Sequence, residues 1–178
     1  MKSLVLLLLL IASVSAFSAD VDLQKSKFKW RGTKVTGEHF GEVPLKSASA
    51  KIKDGKIVSG KFIIDLTKMT VTDLQGEWAD KFLAHIKNED FFEVGKYPTA
   101  TLVVEKDDGK KITGNMTIKG KTNPISIAYK KADKSYTGTF KFDRTKYNIV
   151  YGSGNFFKNL GDKVIHDEVE VTFSIFFK

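Results

Sequence analysis

From about residue 27 to the C-terminus, apolar and polar side chains alternate with a period of two, in runs separated by short turn clusters. Successive side chains of a strand point to opposite faces, so this pattern predicts strands with one apolar and one wet face. Phe28 and Trp30 alternate with Lys27, Lys29 and Arg31, and Phe62, Ile64 and Leu66 with Lys61, Ile63 and Asp65. Ala100, Leu102 and Val104 alternate with Thr99, Thr101 and Val103, and Ile112, Met116 and Ile118 with Thr113, Asn115, Thr117 and Lys119. The parity continues through Ile125, Ile127 and Tyr129, then Tyr136, Phe140 and Phe142, and ends with Val169, Val171, Phe173, Ile175 and Phe177.

Asp54-Gly55 and Asp108-Gly109 suit tight turns that need positive φ, and Asn123-Pro124 reads as a break between two further strands. Short sequential connections make neighbours antiparallel. Closing such a sheet on itself removes its edge strands, so the expected fold is all-β: a single antiparallel up-and-down barrel of about eight strands, with a sandwich as the alternative. One segment departs from period two. Between Gly76 and Asn88, Trp78, Phe82 and Ile86 recur every four residues with Leu83 beside them, which predicts one short amphipathic α-helix packed against the barrel. Asp90-Phe91-Phe92 follows directly and extends the same plug.

The first residues add a compartment. Met1-Lys2, the apolar run from Leu4 to Val14 and the small residues Val14-Ser15-Ala16 read as a signal peptide of residues 1–16, removed on export to the periplasm. The apolar run is shorter than the roughly 20 residues of a membrane-spanning helix. A domain of residues 17–178 follows, large enough for one core. With no cysteine, it has no disulfides or thiolate sites. The formal charge of +8 is spread along the chain and favours solubility and attraction to anionic lipid heads.

Candidate chemistry is sparse. His39, His85 and His166 are far apart in sequence and lack His-x-His or His-Glu-x-x-His spacing, so no metal site is expected. His85 is expected to bond to backbone or to Asp90. Tyr151-Gly152-Ser153-Gly154 places tyrosine where a nucleophile elbow has its first glycine, so it reads as a glycine-shaped loop, and no catalytic residue is assigned. Glu168 and Glu170 share the wet face of their strand. Lys25, Lys27, Lys29 and Arg31 point away from Phe28 and Trp30, which argues against a stacking groove for nucleic acid.

Three stretches in the middle of the chain, His85-Ile86-Lys87-Asn88-Glu89-Asp90-Phe91-Phe92, Lys96-Tyr97-Pro98-Thr99-Ala100-Thr101 and Ile112 through Pro124, resemble the bacterial YceI-like family in order and spacing. Trp30-Arg31-Gly32, His39-Phe40-Gly41, Phe142-Asp143-Arg144, Tyr147-Asn148 and Tyr151-Gly152-Ser153-Gly154 extend the resemblance over the rest of the chain. It implies a lipocalin-like barrel with a packed helix, and a periplasmic carrier of a polyisoprenoid, isoprenoid quinone or fatty-acid-like chain.

Periodicity and resemblance together lead to a binding protein whose ligand is that long apolar chain, with no other cofactor. Trp30, Phe62, Ile64, Leu102, Met116, Phe140, Phe142 and Phe173 are the expected barrel lining, and Trp78, Phe82, Phe91 and Phe92 the lining at the helix and its exit. Possible partners beyond the ligand are a membrane surface or membrane electron carriers. Two alternatives remain open: an accessory protein with a filled core that acts through such carriers, and an enzyme on a lipid head group using His85, Asp90 and Tyr97.

Overall fold

The computed structural model describes residues 17–178; the expected signal peptide lies outside the described residues. Eleven strands and one α-helix make up the regular structure. The six-stranded sheet has the order β1-β4-β5-β6-β7-β8, from β1 (Phe17–Ala19), β4 (Leu45–Lys53), β5 (Lys56–Asp65), β6 (Thr99–Asp107), β7 (Lys111–Ile118) and β8 (Lys121–Ala128). The five-stranded sheet has the order β3-β2-β11-β10-β9, from β3 (Gly37–Val43), β2 (Lys27–Lys34), β11 (Ile165–Phe176), β10 (Ser135–Asp143) and β9 (Lys130–Ala132). Every pair is antiparallel.

The two sheets share their chain at two corners. Only Pro44 separates β3 from β4, and only Tyr129 separates β8 from β9. Each pair is one long bent strand that leaves one sheet and enters the other, as orthogonal packings do. Counted so, eight strands run up and down around a ring, β2 meeting β11 to complete it, while the short β1 pairs with β4 and leads into residues 20–22, which pair with the end of β11. The ladder is interrupted at the corners, which is why the pairing divides into two sheets rather than one closed one.

Asp54 and Gly55 both take positive φ in the two-residue turn between β4 and β5, as the sequence predicts. Asn123-Pro124 does not separate two strands, contrary to the sequence expectation. Both residues lie inside β8, opposite Met116 and Asn115, and the turn before β8 is Lys119-Gly120, again with both φ positive. Proline is tolerated there because β8 is the last strand of its sheet, so the missing N–H breaks no second ladder.

Val21 bridges to Phe177, and Tyr136 hydrogen-bonds Gly55 O through its hydroxyl (2.9 Å), closing one end of the barrel. At the other end, residues 70–73 lie along the free edge of β3. Thr70 N donates to Glu42 O (2.9 Å), and Thr72 N to Phe40 O (2.9 Å). Such cover protects an edge that would otherwise be unpaired. Gly41 is required at this crossing, because a Cβ there would stand 2.0 Å from Thr70 O. The strap leads into α1 (Gly76–Lys87), whose Phe82, Leu83 and Ile86 face the barrel. Burial of Ile86 alone contributes on the order of 1.5–3 kcal/mol.

Candidate functional site

The inward faces of both sheets enclose a cavity of about 370 Å³ with an almost wholly apolar wall. On β11 the lining runs from Ile165 to Ile175, ten residue steps or up to about 33 Å of strand, so the space is elongated. A second, open depression of about 670 Å³ lies outside the wall against Lys29, Lys130 and Thr139, and is a surface groove rather than an interior.

Trp30, Phe62, Ile64, Phe82, Phe91, Phe92, Leu102, Met116, Phe140, Phe142 and Phe173 all border the inner cavity. Trp78 does not. It is 73% exposed in the first turn of α1, whereas Phe82, one turn on, stacks on Trp30 at 6.1 Å. The helix overhangs the barrel edge, so a residue on its apolar stripe can still face water.

The closed end is lined by Ile57, Ile112, Ile127, Tyr136 and Ile175. The polar residues collect at the opposite end, where β2 stops, β3 begins and β11 starts. Lys34, Thr33, His39, His85, His166 and Arg144 border the cavity there, so the topology brings all three histidines to one mouth. Each is held through Nδ1. His39 Nδ1 lies 2.7 Å from Asp73 Oδ2, His166 Nδ1 lies 2.8 Å from Thr33 Oγ1, and His85 Nδ1 lies 3.4 Å from Asn88 Nδ2. The partner of His85 is Asn88 rather than the expected backbone or Asp90, with the His85 ring edge-on to Phe91 and Tyr151. Burial raises the Asp73 carboxyl, but the Phe40 amide and the His39 ring outweigh it and leave it below the ordinary carboxylate value. No group of three or more potential metal-ligating side chains occurs among the described residues.

Arg144 is the buried charge of the mouth, 3% exposed. Its five donors are all engaged: Nε with His166 O, Nη1 with Ile149 O and Tyr151 O, and Nη2 with Ile165 O and Asp167 Oδ1, at 2.8–3.1 Å. Burial lowers the guanidinium pKa, against the pull of Asp167 and Asp143. Asp167 also accepts from Ser153 Oγ (2.9 Å) and Asn155 Nδ2 (2.7 Å). The glycine-shaped loop is thereby locked to β11, with the fully buried Ser153 hydroxyl donating to Asp167. The sequence signal for Arg144 is its parity, since it continues the inward series Tyr136, Phe140, Phe142. Gly32 likewise continues Phe28 and Trp30, and nothing lies within 4 Å of where its Cβ would be, leaving the mouth open.

The YceI-like domain model matches residues 17–177. The chain belongs to that family. Among curated relatives, UPF0312 proteins of Pseudomonas paraeruginosa and Vibrio vulnificus are 44% identical over 50 residues and 45% over 49. Those matches span about a quarter of this chain and about a quarter of each relative (26%). Among solved structures, BcnA of Burkholderia cenocepacia superimposes with a TM-score of 0.65 at 24% identity, covering 88% of this chain and 98% of BcnA. A polyisoprenoid binding domain from Saccharophagus degradans gives 0.63 at 15% identity, covering 92% and 99%. These two likenesses show a shared fold.

Proposed function

We propose that this protein binds one long-chain hydrophobic ligand, a polyisoprenoid, isoprenoid quinone or fatty-acid-like chain, and carries it through the periplasm. The observation that carries this reading is the elongated apolar cavity with its polar groups gathered at one mouth. Its volume falls in the range of about 300–1,000 Å³ usual for ligand sites, and an interior of this size argues against the filled-core alternative. An apolar tail along β11 and a polar end near the histidines match the shape and polarity of an amphiphile. At about 0.8 kcal/mol per methylene, ten buried methylene equivalents contribute roughly 8 kcal/mol before ordering losses. The YceI-like membership and the polyisoprenoid-binding neighbour support the same class of ligand.

Binding without chemistry is part of the proposal. Of the head-group enzyme's candidates, His85 sits against Tyr151, whereas Tyr97 packs beside Lys96 and Gly120. Export is supported by the N-terminal sequence alone, and mass spectrometry of exported protein should find Phe17 at the N-terminus. A quinone ligand would make membrane electron carriers the partners.

The test is solvent extraction of natively purified protein with lipid mass spectrometry, on wild type and a matched pair. Phe140→Asp sets an unpaired carboxylate on the cavity wall, which is costly. Thr139→Asp sets one on the outer face, where Thr139 meets Thr172. Lys141 is a poorer outward control, since it pairs with Glu168 (2.7 Å) and Glu170 (3.8 Å). Wild type and Thr139→Asp should release stoichiometric lipid and folded Phe140→Asp should release none, with Phe140→Ala and circular dichroism as the folding controls. No extractable lipid from wild type, or equal lipid in the folded Asp pair, would overturn the proposal.

A further inference from the structure

We propose that the rim of the cavity mouth docks on a bilayer surface rich in anionic head groups, so that ligand passes between membrane and barrel without crossing water. This rests on the carrier reading. Val35 (57% exposed), Phe156 (58%) and Phe157 (47%) stand in water at this rim, together with the exposed Tyr151. Hydrogen bonds tie them to the wall. Val35 N donates to Val164 O (3.1 Å), Ile165 N to Gly152 O (2.8 Å), and Phe156 N and Phe157 N both to Ser153 O (3.1 and 2.9 Å). Tyr151 packs on His85 and Phe91, which line the cavity. The exposed rings are therefore continuous with the opening rather than scattered over the surface.

Lys34 borders the mouth, Lys158 follows Phe157 and Lys163 precedes Val164, and all three are exposed. Among the described residues none of the three forms an ion pair, although Asp162 lies between the last two. Asp167 is engaged by Arg144 and Glu38 by Arg31. Exposed aromatic rings flanked by free cations match the interfacial zone of an anionic bilayer. The ligand's chemistry selects the same occupant, because a long apolar chain resides in membranes and leaves them for water at a cost that grows with every methylene.

Vesicle flotation tests the proposal, with phosphatidylcholine alone and with phosphatidylglycerol added. Wild-type protein should float with the anionic vesicles and release from them near 1 M salt, where the Debye length falls to about 3 Å. Phe156→Ser with Phe157→Ser should lower partitioning by about tenfold or more. Each of Lys34→Gln, Lys158→Gln and Lys163→Gln should lower it by about fivefold. Val58→Ser, which removes an exposed apolar side chain far from the mouth, should change nothing. Wild type that keeps its lipid but ignores anionic vesicles would overturn the inference, as would rim variants that float like wild type. A concentration-dependent dimer abolished by the two serines, without vesicle binding, would assign the rim to a second copy of the chain. Vesicle binding by protein that yields no lipid would overturn the carrier reading and leave the docking surface standing.

Discussion

The two ends of the barrel are built from the same alternating strands and closed by opposite means. At the closed end, short turns and aromatic side chains do the sealing. Tyr136 is bonded to Gly55 O, Tyr129 OH reaches both oxygens of Asp107 (2.8 and 2.9 Å), and Phe177 packs edge-on to Tyr136. Burial first, with Asp107 beside them, raises both tyrosine hydroxyls' pKa, so they stay protonated donors across the ordinary pH range. At the mouth, irregular segments carry the closure. Residues 144–164 contain only two short 3₁₀ turns; the Arg144 guanidinium binds Ile149 O and Tyr151 O, Asp167 accepts from Ser153 and Asn155, and α1 spans part of the opening. The difference shows how one apolar interior gains a direction: many small contacts seal one end, and one buried ion shapes a polar opening at the other.

Replacing Arg144 with Met should break this comparison most severely. Four carbonyls and Asp167 would lose their donor, and removal of one partner of a buried ion pair costs about 3–5 kcal/mol. Urea denaturation should show that loss, and limited proteolysis should cut first within residues 144–164. At the closed end, Tyr136→Phe removes one hydrogen bond to Gly55 and should cost only about 1 kcal/mol in the same assay, with lipid retained. Equal losses at both ends would show that the mouth does not depend on its arginine.

Acid should loosen the mouth strap more gently. The Asp73 carboxyl titrates lower in the folded protein than unfolded, so its contribution is complete above the unfolded value of about 3.9 and disappears as pH falls through the folded one. Thermal melts from pH 6 to pH 3 should therefore fall more steeply for wild type than for Asp73→Asn. Asp65, lowered chiefly by the Thr67 hydroxyl, works in the same direction. The smallest change in stability is expected for Gly32→Leu, within about 0.5 kcal/mol, because open space surrounds that position. Its effect on function should be large, since the leucine fills the mouth and co-purifying lipid should be lost. A melting temperature unchanged together with full lipid retention would move the opening elsewhere.

Parity made most of the barrel wall legible, although it slips at the β-bulges, where Ile57 and Phe62 of β5 line the same cavity at opposite parity. Arg144 and Gly32 shared that parity but were hidden by residue type, as neither is apolar. The convergence of the histidines was not legible, since it depends on β2 lying between β3 and β11, a pairing of distant segments. Trp78 misled for a related reason. A helical period reports which face is apolar and not where the helix outruns its support. The bends at Pro44 and Tyr129 were equally hidden, because the alternation hardly falters while the hydrogen-bond partners change.

The ring is completed by β2 and β11, residues 27–34 against 165–176, nearly the full chain apart. Pairing of such distant segments predicts a late and slow step in folding. Hairpins from β4 to β8 can form early from local contacts, but their apolar faces remain uncovered until the last dozen residues arrive. During that interval the open sheet presents the unpaired edges on which chains aggregate. A chain shortened before β11 should remain an open barrel with unpaired edges, prone to association, so the final strand acts as the timing element of assembly.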